Sequence, residues 1–195
     1  MLKQRAAGSK FLTVKNGKFY LSSDKELTTP YDELTGFVTD LNYKDEEYNG
    51  NPMRKLYITV SSENESYKFG VLSDSMTGTQ FVNFLANADL SKEITLSPFE
   101  KTENKDGKDV TQRAIFVKQG DKFLKGKYSR EELPEVKKVM INKKAAYDKS
   151  DLLDFYENVV NEKLKPQLNQ ESKEVVIKEA KHDWEEIEDG QELPF

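Results

Sequence analysis

Over most of the first 120 residues apolar side chains recur at every second position, the spacing of strands with one buried face. Residues 10–14 and 18–21 flank Asn16-Gly17, a pair that readily supplies the positive φ angles of a hairpin turn. From 35 to 43, Phe37, Thr39, Leu41 and Tyr43 alternate with Val38, Asp40 and Asn42, and a polar connection follows over 44–52. Residues 53–61 set Leu56, Ile58 and Val60 on one face and Lys55, Tyr57 and Thr59 on the other. After Glu63-Asn64 the alternation resumes at Tyr67, Phe69 and Val71, so three consecutive antiparallel strands are expected.

The period then changes. Phe81, Val82, Phe84 and Leu85 fall at helical spacing within 78–89, with Thr79 as the expected N-cap. Ile94 and Leu96 mark a strand, 104–107 is a polar loop, and Gln112, Ala114 and Phe116 alternate with Arg113, Ile115 and Val117 in another strand. Residues 122–125 add an edge strand. Between 148 and 165, Leu152, Phe155, Tyr156, Val159, Val160 and Leu164 form the broad apolar stripe of a helix that Pro166 ends. Beyond the apolar island Val175-Val176-Ile177 the chain has the charge and sparse apolar content of a disordered tail. The organisation expected is mainly β with short helices: an N-terminal hairpin extension over 1–33, a barrel domain over 34–147, a C-terminal helix over 148–170 and a flexible acidic tail over 171–195.

Composition narrows the chemistry. With no cysteine among 195 residues there is neither a disulfide nor a thiolate metal site, which suits a reducing compartment. Hydrophobic residues at 36% and charged ones at 33% lie at the polar edge of globular chains. No run of about 18 apolar residues occurs, so no membrane contact is expected and a cytoplasmic location is.

The net charge of −5 conceals an uneven distribution. Residues 183–195 carry Asp183, Glu185, Glu186, Glu188, Asp189 and Glu192 without one Lys or Arg, leaving 30 basic against 29 acidic groups elsewhere. Residues 113–144 hold ten basic side chains against four acidic ones, a local excess suited to an anionic partner.

The order strand, strand, strand, helix, strand, strand over 35–119 resembles the OB-fold, a five-stranded barrel often used on oligonucleotides. The ending Asp189, Glu192, Leu193, Pro194 and Phe195 resembles the acidic tails of bacterial single-stranded-DNA-binding proteins, which close in Ile-Pro-Phe or a near variant. That family's N-terminal core pattern and its long Gly/Pro/Gln-rich linker are absent, and Gly190-Gln191 interrupts the acidic run. The combination looks like a divergent phage protein of this kind, which would act in the cytoplasm of a bacterial host.

Sequence-independent binding of a single strand needs cations for phosphates and aromatic faces for bases. Tyr57 with Lys55 and Arg54, Tyr43 and Tyr48 beside the first long connection, and Phe116 and Phe123 in the basic stretch are the candidate stacking surfaces and their neighbours. Arg113, Lys118, Lys122, Lys125, Lys127, Tyr128 and Arg130 complete the expected DNA-binding set. The resemblance implies a second set for replication or recombination proteins: Trp184, Ile187, Asp189, Glu192, Leu193, Pro194 and Phe195. No catalytic residue, cofactor or metal is expected. His182 is the single histidine and lies in the acidic tail, there is no phosphate-cradling glycine loop, and Asp151 and Asp154 at a helix start suit its dipole. The alternative function is a phage adaptor or virion structural protein whose barrel binds protein.

Overall fold

The computed structural model describes residues 9–62, 65–105, 107–141 and 144–168. The segment expected to be a disordered tail lies outside them. The chain opens with β1 (Lys10–Lys15) and β2 (Lys18–Leu21), antiparallel about Asn16 and Gly17, whose φ angles of 50° and 68° are those the hairpin turn demands. Then come β3 (Leu34–Tyr48), β4 (Asn51–Ser62) and β5 (Glu65–Leu72), a meander, followed by α1 (Met76–Leu85), β6 (Ile94–Lys105), β7 (Lys108–Gln119) and the short β8 (Lys122–Phe123). A separate hairpin, β9 (Lys137–Ile141) and β10 (Lys144–Asp148), precedes α2 (Ser150–Asn158). The mainly-β expectation holds. No helix among the described residues is long and apolar enough to cross a membrane.

The main sheet has eight strands in the order β2-β1-β5-β4-β3-β6-β7-β8 and is open, where a partly open barrel of five strands was expected. The N-terminal hairpin extends the sheet at one edge. β1 takes the free edge of β5 in parallel register, Lys10 against Tyr67 and Phe11 against Lys68. The hairpin's turn abuts β6, so closely that a Cβ on Gly17 would lie 2.7 Å from the Glu100 nitrogen. The hairpin thus lies on the β5 edge and touches β6 at its turn.

The inner face collects Val38 and Leu41 of β3, Leu56, Ile58 and Val60 of β4, Phe69 and Val71 of β5, Ile94 and Leu96 of β6, and Ile115 and Val117 of β7. From β2, Phe19 enters fully buried, edge-on to Phe69 at 5.2 Å, and α1 closes the core with Phe81, Val82 and Leu85. Strict alternation grouped Phe37 with Leu41, but the register shifts between Val38 and Asp40, a bulge that turns Val38 and Leu41 inward together and leaves Phe37 38% exposed.

The connection expected as a polar loop over 44–52 is a long ribbon, whereas the one at 104–107 holds the turn between β6 and β7. β3 and β4 stay paired out to Tyr48 and Asn51 around Asn49-Gly50, with Asp45 opposite Arg54 and Lys44 opposite Lys55. β6 and β7 pair from Thr95–Lys118 to Lys105–Lys108. Helix α1 begins earlier than expected: Ser75 Oγ accepts from the Gly78 N–H at 3.0 Å as the N-cap, while Thr79 sits a turn inside and bonds back to the Ser75 carbonyl at 3.2 Å. After α2 the backbone widens into a π-helical turn over Val159–Leu164 and tightens over Lys165–Gln167, where Pro166 stands. Tyr156, Val159, Val160 and Leu164 of this segment are buried against the body.

Candidate nucleic-acid interface

Two outer surfaces of the sheet carry the sequence-derived candidates. On the first, Asn42, Tyr57 and Gly70 stand abreast across β3, β4 and β5, pointing away from the Leu56, Ile58 and Val60 face. Lys68 Nζ lies 5.3 Å from the centre of the Tyr57 ring. Glu46 governs this surface: its carboxylate accepts from Tyr57 Oη at 2.6 Å and from Lys55 Nζ at 3.0 Å, with Lys44 Nζ at 3.6 Å. These donors hold the Glu46 carboxyl below its ordinary range, and burial together with Glu46 pushes the Tyr57 phenol up to about 12. Tyr48, at the ribbon tip, is 64% exposed.

Tyr43 and Arg54 are occupied otherwise. Tyr43 packs against the core, and burial raises its phenol to about 12. The Arg54 guanidinium lies 5.3 Å from the Tyr43 ring centre and bonds Glu157 of α2 at 2.8 Å, with Asp45 at 3.6 Å. Together they fasten the C-terminal segment to the meander.

The second surface is made of phenylalanines. Because Ile115 and Val117 point inward, β7 must turn Ala114, Phe116 and Lys118 outward. Around Phe116 stand Phe99 of β6 at 5.7 Å, Phe123 of β8 at 5.8 Å and Phe84 of α1 at 5.9 Å, centre to centre. Phe99 is 38% and Phe123 58% exposed, so this cluster faces solvent. Phe84, Phe116, Phe123, Leu124, Lys125 and Gly126 line an open hollow of about 560 Å³. Its floor is fixed by Asn83, whose side-chain amide accepts from the Tyr128 N–H at 2.8 Å and donates to the Tyr128 carbonyl at 3.0 Å. The Asn83 carbonyl takes the Lys127 N–H at 3.0 Å, and Asn87 donates to the Lys125 carbonyl at 3.2 Å. Residues 124–128 are thereby strapped along α1.

Charge pairing separates the cations. Arg113 is bound to Glu100 at 2.8 Å, and Lys118, 4.7 Å from the Phe123 ring centre, bonds Glu33, which also takes the Ser97 hydroxyl at 2.9 Å. Lys118 first and then Ser97 hold the Glu33 carboxyl below its usual range. Lys122, Lys125, Lys127 and Arg130 are exposed and make no ion pair among the described residues. Tyr128 is half-buried, edge-on to Phe155 at 5.0 Å, with its hydroxyl accepting from Lys163 at 3.0 Å; it joins the strap to the C-terminal segment.

The fourteen candidates therefore divide. Tyr48, Lys55 and Tyr57 belong to the meander surface; Phe116, Lys118, Lys122, Phe123, Lys125 and Lys127 gather at the hollow. Arg130 stands just beyond the strap, while Tyr43, Arg54, Arg113 and Tyr128 are held by partners. Sequence reasoning missed Phe84 and Phe99; the one available signal was an outward phase for Phe99 beside Phe116, which only the register of Ser97 opposite Phe116 reveals. Trp184, Ile187, Asp189, Glu192, Leu193, Pro194 and Phe195 lie outside the described residues. No three or more His, Cys, Asp or Glu side chains among the described residues are grouped to hold a metal. Comparison with family models, curated proteins and solved structures returns no match.

Proposed function

We propose that this chain binds single-stranded DNA largely independently of sequence, stacking bases on the Phe116 and Phe123 surface while Lys122, Lys125 and Lys127 meet phosphates. The observation that carries the reading is the cluster of phenylalanine rings in mutual contact at the surface, edged by Lys122, Lys125 and Lys127, which are exposed and make no ion pair among the described residues. A contiguous exposed apolar patch marks an interaction site. Phenylalanine stacks on any base at roughly 1–3 kcal/mol each, without a polar atom that would choose among them. The strand order β5-β4-β3-β6-β7 with α1 between β5 and β6 follows the sequence of elements in an OB-fold, which supports the reading. Tyr57 and Lys68 on the meander offer a second aromatic and cationic surface. The acidic segment 183–195 serves to recruit replication, recombination or repair proteins to the coated strand, as the resemblance of Leu193-Pro194-Phe195 implies.

Fluorescence anisotropy with labelled oligo(dT) across a salt series tests this. The logarithm of affinity should fall with that of salt, by about 0.7 for each phosphate contact. Replacing Phe116 and Phe123 together by Ala should weaken binding at least about tenfold. A chain that captures no oligo(dT) at low salt would return the hollow to the protein-binding adaptor reading.

A further inference from the structure

The β9–β10 hairpin belongs to no other sheet. A lone two-stranded hairpin is marginal in water, and this one is tied down at its base: Lys137 bonds Asp151 at 2.7 Å and Lys149 donates to the Asp74 carbonyl at 3.0 Å. Its register gives it two unlike faces. Val139 pairs with Ala146, and both are half-buried. Lys138 pairs with Tyr147 on the opposite face, where Met140 is the diagonal neighbour of Tyr147, about 7–8 Å away. Met140 and Tyr147 are each 66% exposed and Lys138 is exposed. This outward face thus offers a cation, an aromatic ring and an apolar side chain in contiguous positions. The segment 137–149 holds five lysines against one aspartate, so its field attracts an anion.

We propose that this outward face of the hairpin is a second contact for the same single strand, with Tyr147 as a stacking platform and Lys138 on a phosphate. The proposal rests on the single-strand reading above. Charge selects the occupant: a segment so rich in lysine repels a second copy of itself and draws a polyanion, and the ring beside Lys138 suits the base that follows a phosphate. A strand held at the phenylalanine hollow gains this contact only if it is long enough to span both surfaces, so the benefit is confined to longer oligomers.

The full chain and its Lys138→Gln/Tyr147→Ala variant are compared by anisotropy on two oligo(dT) probes, one about 8 nucleotides long, the other about three times longer. The variant should bind the longer probe about tenfold more weakly, with a salt slope smaller by about 0.7, and the short probe within about twofold. Tyr147→Phe should keep the wild-type affinity for both, since stacking needs the ring alone. Both substituted positions are exposed, and an unchanged thermal melt checks that the variant is folded. Equal binding of both probes by variant and parent overturns the hairpin contact while leaving the single-strand reading intact. Failure of the parent itself to bind either probe overturns that reading instead. A parent dimer that the variant converts to monomer in light scattering, with affinity for the longer probe unchanged, assigns the face to a second copy and overturns the proposal.

Discussion

The ring of Tyr57 rests on Gly70, so closely that a Cβ on Gly70 would lie 2.9 Å from Tyr57 Cε1. The glycine is the bed that lets the ring lie flat while its hydroxyl reaches Glu46 at 2.6 Å. A methyl group at residue 70 must lift the ring and break that bond. Gly70→Ala should therefore lower the Tyr57 phenol from about 12 towards the ordinary value of about 10 as burial and the Glu46 contact are lost. Ultraviolet titration of tyrosine, with Tyr57→Phe as the subtraction control, reads the change. An unmoved titration would show that the ring accommodates the methyl group in place.

Gly78 makes a contrasting case within α1. Glycine to alanine in an exposed helix interior ordinarily gains about 1 kcal/mol. Here the new Cβ would lie 2.2 Å from the Leu72 carbonyl oxygen, a backbone atom that cannot rotate away. Overpacking should win, and Gly78→Ala should lower the denaturant midpoint by the equivalent of about 1–3 kcal/mol.

The C-terminal segment is held by apolar burial rather than by its visible ion pair. Arg54 and Glu157 are 46% and 30% exposed at the side chain, so their 2.8 Å contact is worth about 0–1 kcal/mol. Leu164 is fully buried. Leu164→Ala should cost about 2–5 kcal/mol and Glu157→Gln under about 1, as separate urea titrations would report.

Acid should weaken the fold through Glu46. Its folded pKa lies below the unfolded one because Tyr57 and then Lys55 bond the charged form. The unfolded state therefore binds the proton first, and the stabilisation, complete above the unfolded value of about 4.3, is lost as the pH falls through the folded one. Between about pH 6 and pH 3, Glu46→Gln should lose less stability than the parent, measured by urea midpoints; parallel losses would exclude Glu46 as a contributor.

The sequence displayed the parts whose local chemistry and burial agree. Asn16-Gly17 marks the first hairpin, and Leu56, Ile58 and Val60 mark the buried face of β4, because turn geometry and alternation point the same way. It hid the parts decided by distant contacts. The bulge at Val38 and Asp40 is invisible to strict alternation, which sets Phe37 on one face with Leu41. Asn49-Gly50 was read as part of a loop because the flanking residues are polar, although cross-strand charge pairs such as Asp45 with Arg54 sustain a ribbon there. β9 and β10 escaped notice because lysines interrupt their short apolar pattern. Phe84 falls on the apolar stripe of a helix and nothing in the sequence sets Phe99 apart, so only the fold shows these rings gathered with Phe116 and Phe123 on the outside.

The edges of the open sheet have a consequence for crowding. β8 is two residues long, and beyond β2 the outward N–H and C=O of Phe19 are both taken by Tyr31, at 2.9 and 2.8 Å. The β2 border is thus capped at Phe19, whereas β7 pairs with β8 only at Lys118 and Gln119, and its exposed stretch 108–112 has no strand partner on the outer side among the described residues. Where copies of the chain are crowded together, that stretch of β7 is therefore the border at which a foreign strand can add.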